Sequence, residues 1–230
     1  MLLVGVAGGV HHFNHAGKHV RLGDVVVSMS TTSDDPMYAH CIKVGHGENN
    51  GFTYKIRPFT CKNKVLQNIA LSLESIVRAE WTKVRPWEIY LEEGLENLKH
   101  QEIDFHRPAS DKDLRRIRQA NGSVVCFEHP VAMCKQEIRV NTPVVRHGAI
   151  GSGKLVTRIP DIRRHFSDTC GVCAFDLDFE AVLMSLEGNR NESMLVIRGV
   201  SDYVDGTQKE WQPYSALAAA SYMKALIMAL

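Results

Sequence analysis

The sequence predicts an α/β fold: a mixed, twisted central sheet flanked by helices. Three observations predict it. Short apolar runs rich in valine and isoleucine alternate along the chain with segments of helical periodicity. Several of these runs end in glycine, serine or aspartate, as strands do when they deliver residues at their carboxyl ends. The runs are also apolar throughout rather than alternating, which suits a sheet covered on both faces.

In chain order, residues 1–10 form an apolar run that ends in Ala7-Gly8-Gly9, a strand breaking into a glycine turn. This run has no basic segment before it and leads straight into polar His11 and His12, so it reads as a buried strand and not as a signal peptide. Val25-Val26-Val27-Ser28 and Phe52-Thr53-Tyr54-Lys55-Ile56 are the next strands. Val65, Ile69, Leu73, Ile76 and Val77 predict a helix over 62–82, and Ile89, Leu91, Leu95 and Leu98 one over 87–100. From Gln101 to Gln136 the periodicity weakens. Pro108, Pro130, the charges and Asn121-Gly122 predict an inserted loop region with a short helix over 110–119. Strands follow at 142–150, 171–175 and 194–198, with helices at about 179–186 and 214–229. Residues 1–230 are read as a single domain.

Composition narrows the function classes. A chain of 230 residues, 44% of them hydrophobic, can bury a full core. A formal charge of +1 gives no global bias towards nucleic acid or membrane surfaces, so a small molecule or a protein is the expected partner. There is no apolar span of roughly 18 residues, the length a transmembrane helix needs. Six scattered cysteines without a secretory signal are read as reduced thiols, which predicts a cytoplasmic location.

Several motifs have competing readings. Gly148-Ala149-Ile150-Gly151-Ser152-Gly153-Lys154 fits the spacing of a phosphate-binding loop, but Leu155 stands where Ser or Thr must ligate Mg²⁺ and Pro160 interrupts any long helix. His11, His12 and His15, and the Cys170–Cys173 pair, lack the further ligands of a metal site and are read as structural or surface features; no metal is expected. Asp176 and Asp178, directly after an apolar run, suit either helix capping or hydrogen bonds to sugar hydroxyls. Ser201-Asp202 ends another apolar run, which suits either a turn before the last helix or catalysis at a strand terminus.

Taken together and in order, these segments resemble the purine nucleoside phosphorylase/uridine phosphorylase superfamily. The resemblance rests on Gly5-Val6-Ala7-Gly8-Gly9, Leu22-Gly23-Asp24-Val25-Val26-Val27-Ser28, Ser152-Gly153-Lys154, Asp176-Leu177-Asp178 and Arg198-Gly199-Val200-Ser201-Asp202. Asp104 to Pro108 and Lys209 to Tyr214 are similar to landmarks of its eukaryotic multidomain branch. The resemblance implies cleavage of the N-glycosidic bond of a purine nucleoside or a related compound such as a nucleotide. No cofactor is implied, and phosphate is a co-substrate only if the reaction is phosphorolysis.

It also implies roles. Asp202 becomes the acid at the leaving base, oriented by Ser201. Asp178, with Asp176 beside it, would hold the ribose hydroxyls. Leu177 would pack under the sugar, Val156 and Thr157 would meet the base, and Ala7 and Gly8 would bring backbone close to sugar and base. A homodimer or larger homo-oligomer is implied by the family's habit of building sites near subunit interfaces.

Two departures set a rival expectation. Both family glutamates of the acidic segment are aspartates here. The chain also begins at the glycine turn, so the strands that normally precede it, with the groups that activate water or hold phosphate, are expected to be missing. Hydrolysis is expected over phosphorolysis. The alternative is a catalytically impaired nucleoside-binding or oligomerisation module.

Overall fold

The computed structural model describes residues 1–12, 19–30, 35–47, 51–79, 84–109, 114–119, 121–130, 142–177, 180–185, 193–204 and 209–230. Its elements run β1 (Leu2–Gly9), β2 (Val25–Ser28), β3 (Tyr38–His46), β4 (Phe52–Phe59), α1 (Val65–Ala79), α2 (Pro86–Leu98), β5 (Leu114–Arg118), β6 (Val124–Glu128), β7 (Val145–Ser152), α3 (Lys154–Arg158), α4 (Pro160–Cys170), β8 (Val172–Phe175), α5 (Glu180–Ser185), β9 (Leu195–Asp202) and α6 (Gln212–Ile227). A mixed α/β architecture results, with helices packed on a central sheet.

The main sheet has seven strands in the order β2-β9-β1-β8-β7-β3-β4. β2 pairs with β7 as well as with β9, so β2, β9, β1, β8 and β7 close into a ring, from which the β3–β4 hairpin extends. β1 runs parallel to β9 from Leu2 opposite Leu195 to Ala7 opposite Val200. A bulge between Ala7 and Gly8 then brings Gly8 opposite Asp202. On its other side β1 meets β8 antiparallel, with Gly8 opposite Phe175 and Gly9 opposite Ala174. The carboxyl ends of β1, β8 and β9 therefore converge on one point.

The continuous apolar runs do what their composition predicts. All of β2, and β9 from Leu195 to Ser201, are buried. On one face Val25, Val27, Leu195 and Ile197 pack with Leu66 and Ala70 of α1 and with Ala218 and Tyr222 of α6. A separate cluster seats Val156 of α3 and Phe166 of α4 against Ala149, Val172 and Phe175. Helix α6 lies close on β9: a Cβ at Gly199 would fall 1.8 Å from the Ser215 carbonyl oxygen. In return the Ser215 hydroxyl donates to the Val200 carbonyl at 2.7 Å. No helix of the described residues is long and apolar enough to cross a membrane.

The structure departs from the sequence reading at three places. The predicted helix over 110–119 is instead strand β5, antiparallel to β6, with Leu114 opposite Glu128 and Arg118 opposite Val124. The Asn121-Gly122 turn explains this, since Gly122 takes φ +84° between the two strands. Pro160 does interrupt the chain, but it also opens a new helix, α4, at a position where its missing N–H costs nothing. Strand β3, Tyr38–His46, was not foreseen; its half beyond Cys41 is partly exposed and carries mixed residues with no regular alternation.

Candidate active site

An open cavity of about 410 Å³ lies where the three strand ends meet. Ala7 and Gly8 line it from β1, Asp176 and Leu177 from the end of β8, and Ser201 and Asp202 from β9. Thr157 and Arg158 of α3 form a further wall. Residues far apart in sequence are thus brought together by the ring of strands.

Asp202 is held by its neighbour two positions on. The Val204 N–H donates to Asp202 Oδ1 at 2.7 Å. Val204 has φ +63°, a left-handed conformation that β-branched residues rarely adopt, so the loop stores strain to aim that N–H. The Arg163 guanidinium fastens the loop from outside, donating through Nη1 to the Val204 carbonyl at 2.9 Å and to the Thr157 carbonyl at 3.2 Å. Gly8 completes the fit: a Cβ there would lie 2.7 Å from Asp202 Oδ1 and 2.6 Å from Val204 Cγ2. Only a residue without a side chain permits this approach.

Asp176 is tied down differently. Arg198 is fully buried and donates to Asp176 Oδ2 through Nη2 at 2.6 Å and Nε at 2.9 Å. Nη1 of the same arginine donates to the carbonyls of Leu3 at 2.9 Å and Ile197 at 3.1 Å. The Asp176 N–H donates to the Gly151 carbonyl at 2.8 Å. This carboxylate is therefore one half of a buried ion pair that braces β1, β7, β8 and β9 beneath the cavity.

Leu177, at 70% exposed, stands at the cavity mouth. Asp178 lies outside the described residues. Val156, expected to meet the base, is fully buried in the cluster around Phe166 and is not among the residues lining the cavity. The Thr157 hydroxyl donates back into its own helix, to the Gly153 carbonyl at 2.9 Å, so Thr157 offers the cavity mainly its surface.

The glycine-rich run 148–154 is no phosphate cradle. Gly148 to Ser152 belong to β7, whose residues pair with β2, β3 and β8. Cys170 ends α4 while Cys173 lies within β8, and all five described cysteines are free thiols. Among the described residues no group of three or more His, Cys, Asp or Glu is gathered to hold a metal.

The histidines form a different arrangement. His19 Nδ1 accepts the His12 N–H at 3.3 Å, and His19 Nε2 lies 3.0 Å from His129 Nδ1. Because Nδ1 of His19 accepts, its proton sits on Nε2 and is donated to His129. His19 stacks on Tyr203, with ring centroids 6.1 Å apart, and His11 meets Tyr203 edge-on. The inserted hairpin is thereby connected to the residue that follows Asp202. His15 lies outside the described residues.

No family model matches the chain. A nucleotide-binding leucine-rich repeat-like protein of Hyaloscypha variabilis is 28% identical over 232 residues, covering 98% of this chain. The chain spans only 21% of that relative's length. Among solved structures, a 5′-methylthioadenosine/S-adenosylhomocysteine nucleosidase from Neisseria meningitidis aligns with 100% of this chain and 69% of its own, at 16% identity and a TM-score of 0.49. Futalosine hydrolase of Helicobacter pylori aligns with 100% of this chain and 67% of its own, at 14% identity and a TM-score of 0.42.

The sequence reading overlooked Arg158, Arg163 and Val204. Arg158 has one available signal, its position directly after Thr157 in the segment that follows Ser152-Gly153. Val204 had none, because nothing in its residue type points to a left-handed backbone.

Proposed function

We propose that this chain cleaves the N-glycosidic bond of purine nucleosides or related compounds, by hydrolysis, with Asp202 as the acid at the leaving base. The observation that carries the reading is the placement of Asp202: a strand-end carboxylate in the cavity, held at Oδ1 by the Val204 N–H and packed against Gly8. The ordered resemblance of the strand-end motifs to the nucleoside phosphorylase superfamily supports it independently.

Scission of the C–N bond builds positive charge on the ribose and negative charge on the departing base. A proton delivered to purine N7 neutralises the base as it leaves. Oδ1 accepts the Val204 N–H, which holds the carboxyl group in the cavity. Donation requires the protonated carboxyl, which a seated base that excludes water favours over the carboxylate. The turn after β8 would carry the ribose, with Asp178 at its hydroxyls, and Leu177 beneath it. Attack of water at C1′ yields ribose and the free base; attack of phosphate would yield ribose 1-phosphate instead.

The test is release of free base from adenosine, inosine and adenine nucleotides, with and without phosphate. The expected outcome is phosphate-independent release that Asp202→Asn lowers by about a hundredfold or more. Release only with phosphate would sink hydrolysis. Saturable nucleoside binding with no release would replace the enzyme with a binding module.

A further inference from the structure

Arg158 has no part in the reaction as described, yet its place in the cavity is informative. It is the last residue of α3, is exposed, and lines the same cavity as Asp202. The arginines around it are spent on the fold: Arg198 on Asp176 and two carbonyls, Arg163 on the Thr157 and Val204 carbonyls. Among the described residues no hydrogen bond or ion pair engages the Arg158 guanidinium. Its backbone position is nevertheless fixed relative to Asp202. Arg163 joins the residue before Arg158 to the residue two beyond Asp202, so α3 and the end of β9 form one tied wall.

We propose that Arg158 reads the base edge beside the atom that Asp202 meets, and so selects 6-oxopurine nucleosides over 6-aminopurine ones. The inference rests on the reading that Asp202 faces purine N7. N7 and the substituent on C6 share one edge of the base, and that substituent is an acceptor in a 6-oxopurine but a donor in adenine. A guanidinium carries five N–H donors and no acceptor. A carbonyl at C6 completes a hydrogen bond with Arg158, whereas an amino group opposes donor to donor. Because Arg158 is exposed and can turn to water, the penalty falls short of that in a sealed pocket. A preference of about tenfold to a hundredfold is expected. A guanidinium could also bind a 5′-phosphate. The two monophosphates in the test distinguish that role from the one proposed.

The experiment compares inosine, adenosine and their 5′-monophosphates. It measures kcat/KM for base release by the unmodified chain, Arg158→Ala and Arg158→Lys, and equilibrium binding of all four compounds to Asp202→Asn with and without Arg158→Ala. The expected result is a preference for both inosine compounds that falls to near parity in Arg158→Ala, with Arg158→Lys in between. An inosine-to-adenosine ratio unchanged by Arg158→Ala overturns the inference while leaving the proposed function standing. Loss confined to the two monophosphates also overturns it and makes Arg158 a phosphate contact. If no compound is bound or cleaved by the unmodified chain, the proposed function itself fails, and the inference with it.

Discussion

Arg198 and Asp176 form a buried ion pair in which two guanidinium nitrogens, Nη2 at 2.6 Å and Nε at 2.9 Å, converge on the single oxygen Oδ2. Neither side chain reaches solvent to any useful degree, at 0% and 4% exposure. The pair lies where four strands meet, so it supports the cavity floor and leaves the chemistry to residues above it.

Removing one partner should therefore unfold the chain more readily than removing both. Arg198→Met leaves an uncompensated buried carboxylate and is expected to cost about 3–5 kcal/mol. Arg198→Met with Asp176→Leu should recover a large part of that loss. Urea denaturation of the three proteins measures it; equal stabilities for the single and double variants would contradict the buried-pair account.

Gly8→Ala should separate function from folding. The added Cβ meets the Asp202 carboxylate and the Val204 backbone nitrogen, both within 2.7 Å. A displacement of roughly 1 Å at a reacting group can cost on the order of a hundredfold in rate. The stability cost of overpacking is about 1–3 kcal/mol. Base release and thermal melting, measured side by side, should show the first effect far outweighing what the second explains.

The hold on Asp202 is a backbone hold, and substitution at Val204 can show it. Val204→Gly keeps the N–H and relieves the φ +63° strain, so base release should survive. Val204→Pro deletes the N–H and forces φ to about −65°, so release should fall steeply. Similar losses in both variants would instead assign the role to the valine side chain.

Stability should also depend on pH through Asp24. Burial pushes its carboxyl above the ordinary value of 3.8, against the opposing effect of the Arg21 and Val144 N–H groups and of Arg146 and Arg107. In the window above 3.8 the folded state holds a proton that the unfolded state has released, so stability falls as pH rises. Asp24→Asn removes that titration. Its melting temperature should decline less between pH 4 and 7 than that of the unmodified chain, even though its absolute stability is lower because an amide offers its two N–H donors only one oxygen.

What the sequence made legible follows from how each feature is encoded. Buried strands such as Val25–Ser28 and Leu195–Asp202 announce themselves because burial on both faces demands unbroken apolar runs. The convergence of Gly8, Asp176 and Asp202 could be expected because each follows such a run. Other features depend on three dimensions. The Asp176–Arg198 pair joins residues whose separate motifs gave no sign of meeting. Val156 looked like a cavity residue by its neighbours, but a helix of five residues turns it inward to Phe166. Strand β5 is not legible as a strand because the charged residues around 110–119 carry no β pattern, and the turn signal, Asn121-Gly122, lies outside that segment.

The place of β4 at the end of the strand order has a consequence for how copies of the chain meet. Among the described residues β4, the last strand in the order, pairs only with β3, so one of its hydrogen-bonding sides is not taken by another strand. There Lys55 and Pro58 are exposed, a charge and a residue with no N–H to give. A second chain seeking to extend the sheet meets desolvation of an ammonium group and a gap in the ladder. This edge of the sheet is therefore poorly suited to pairing with a second copy of the chain.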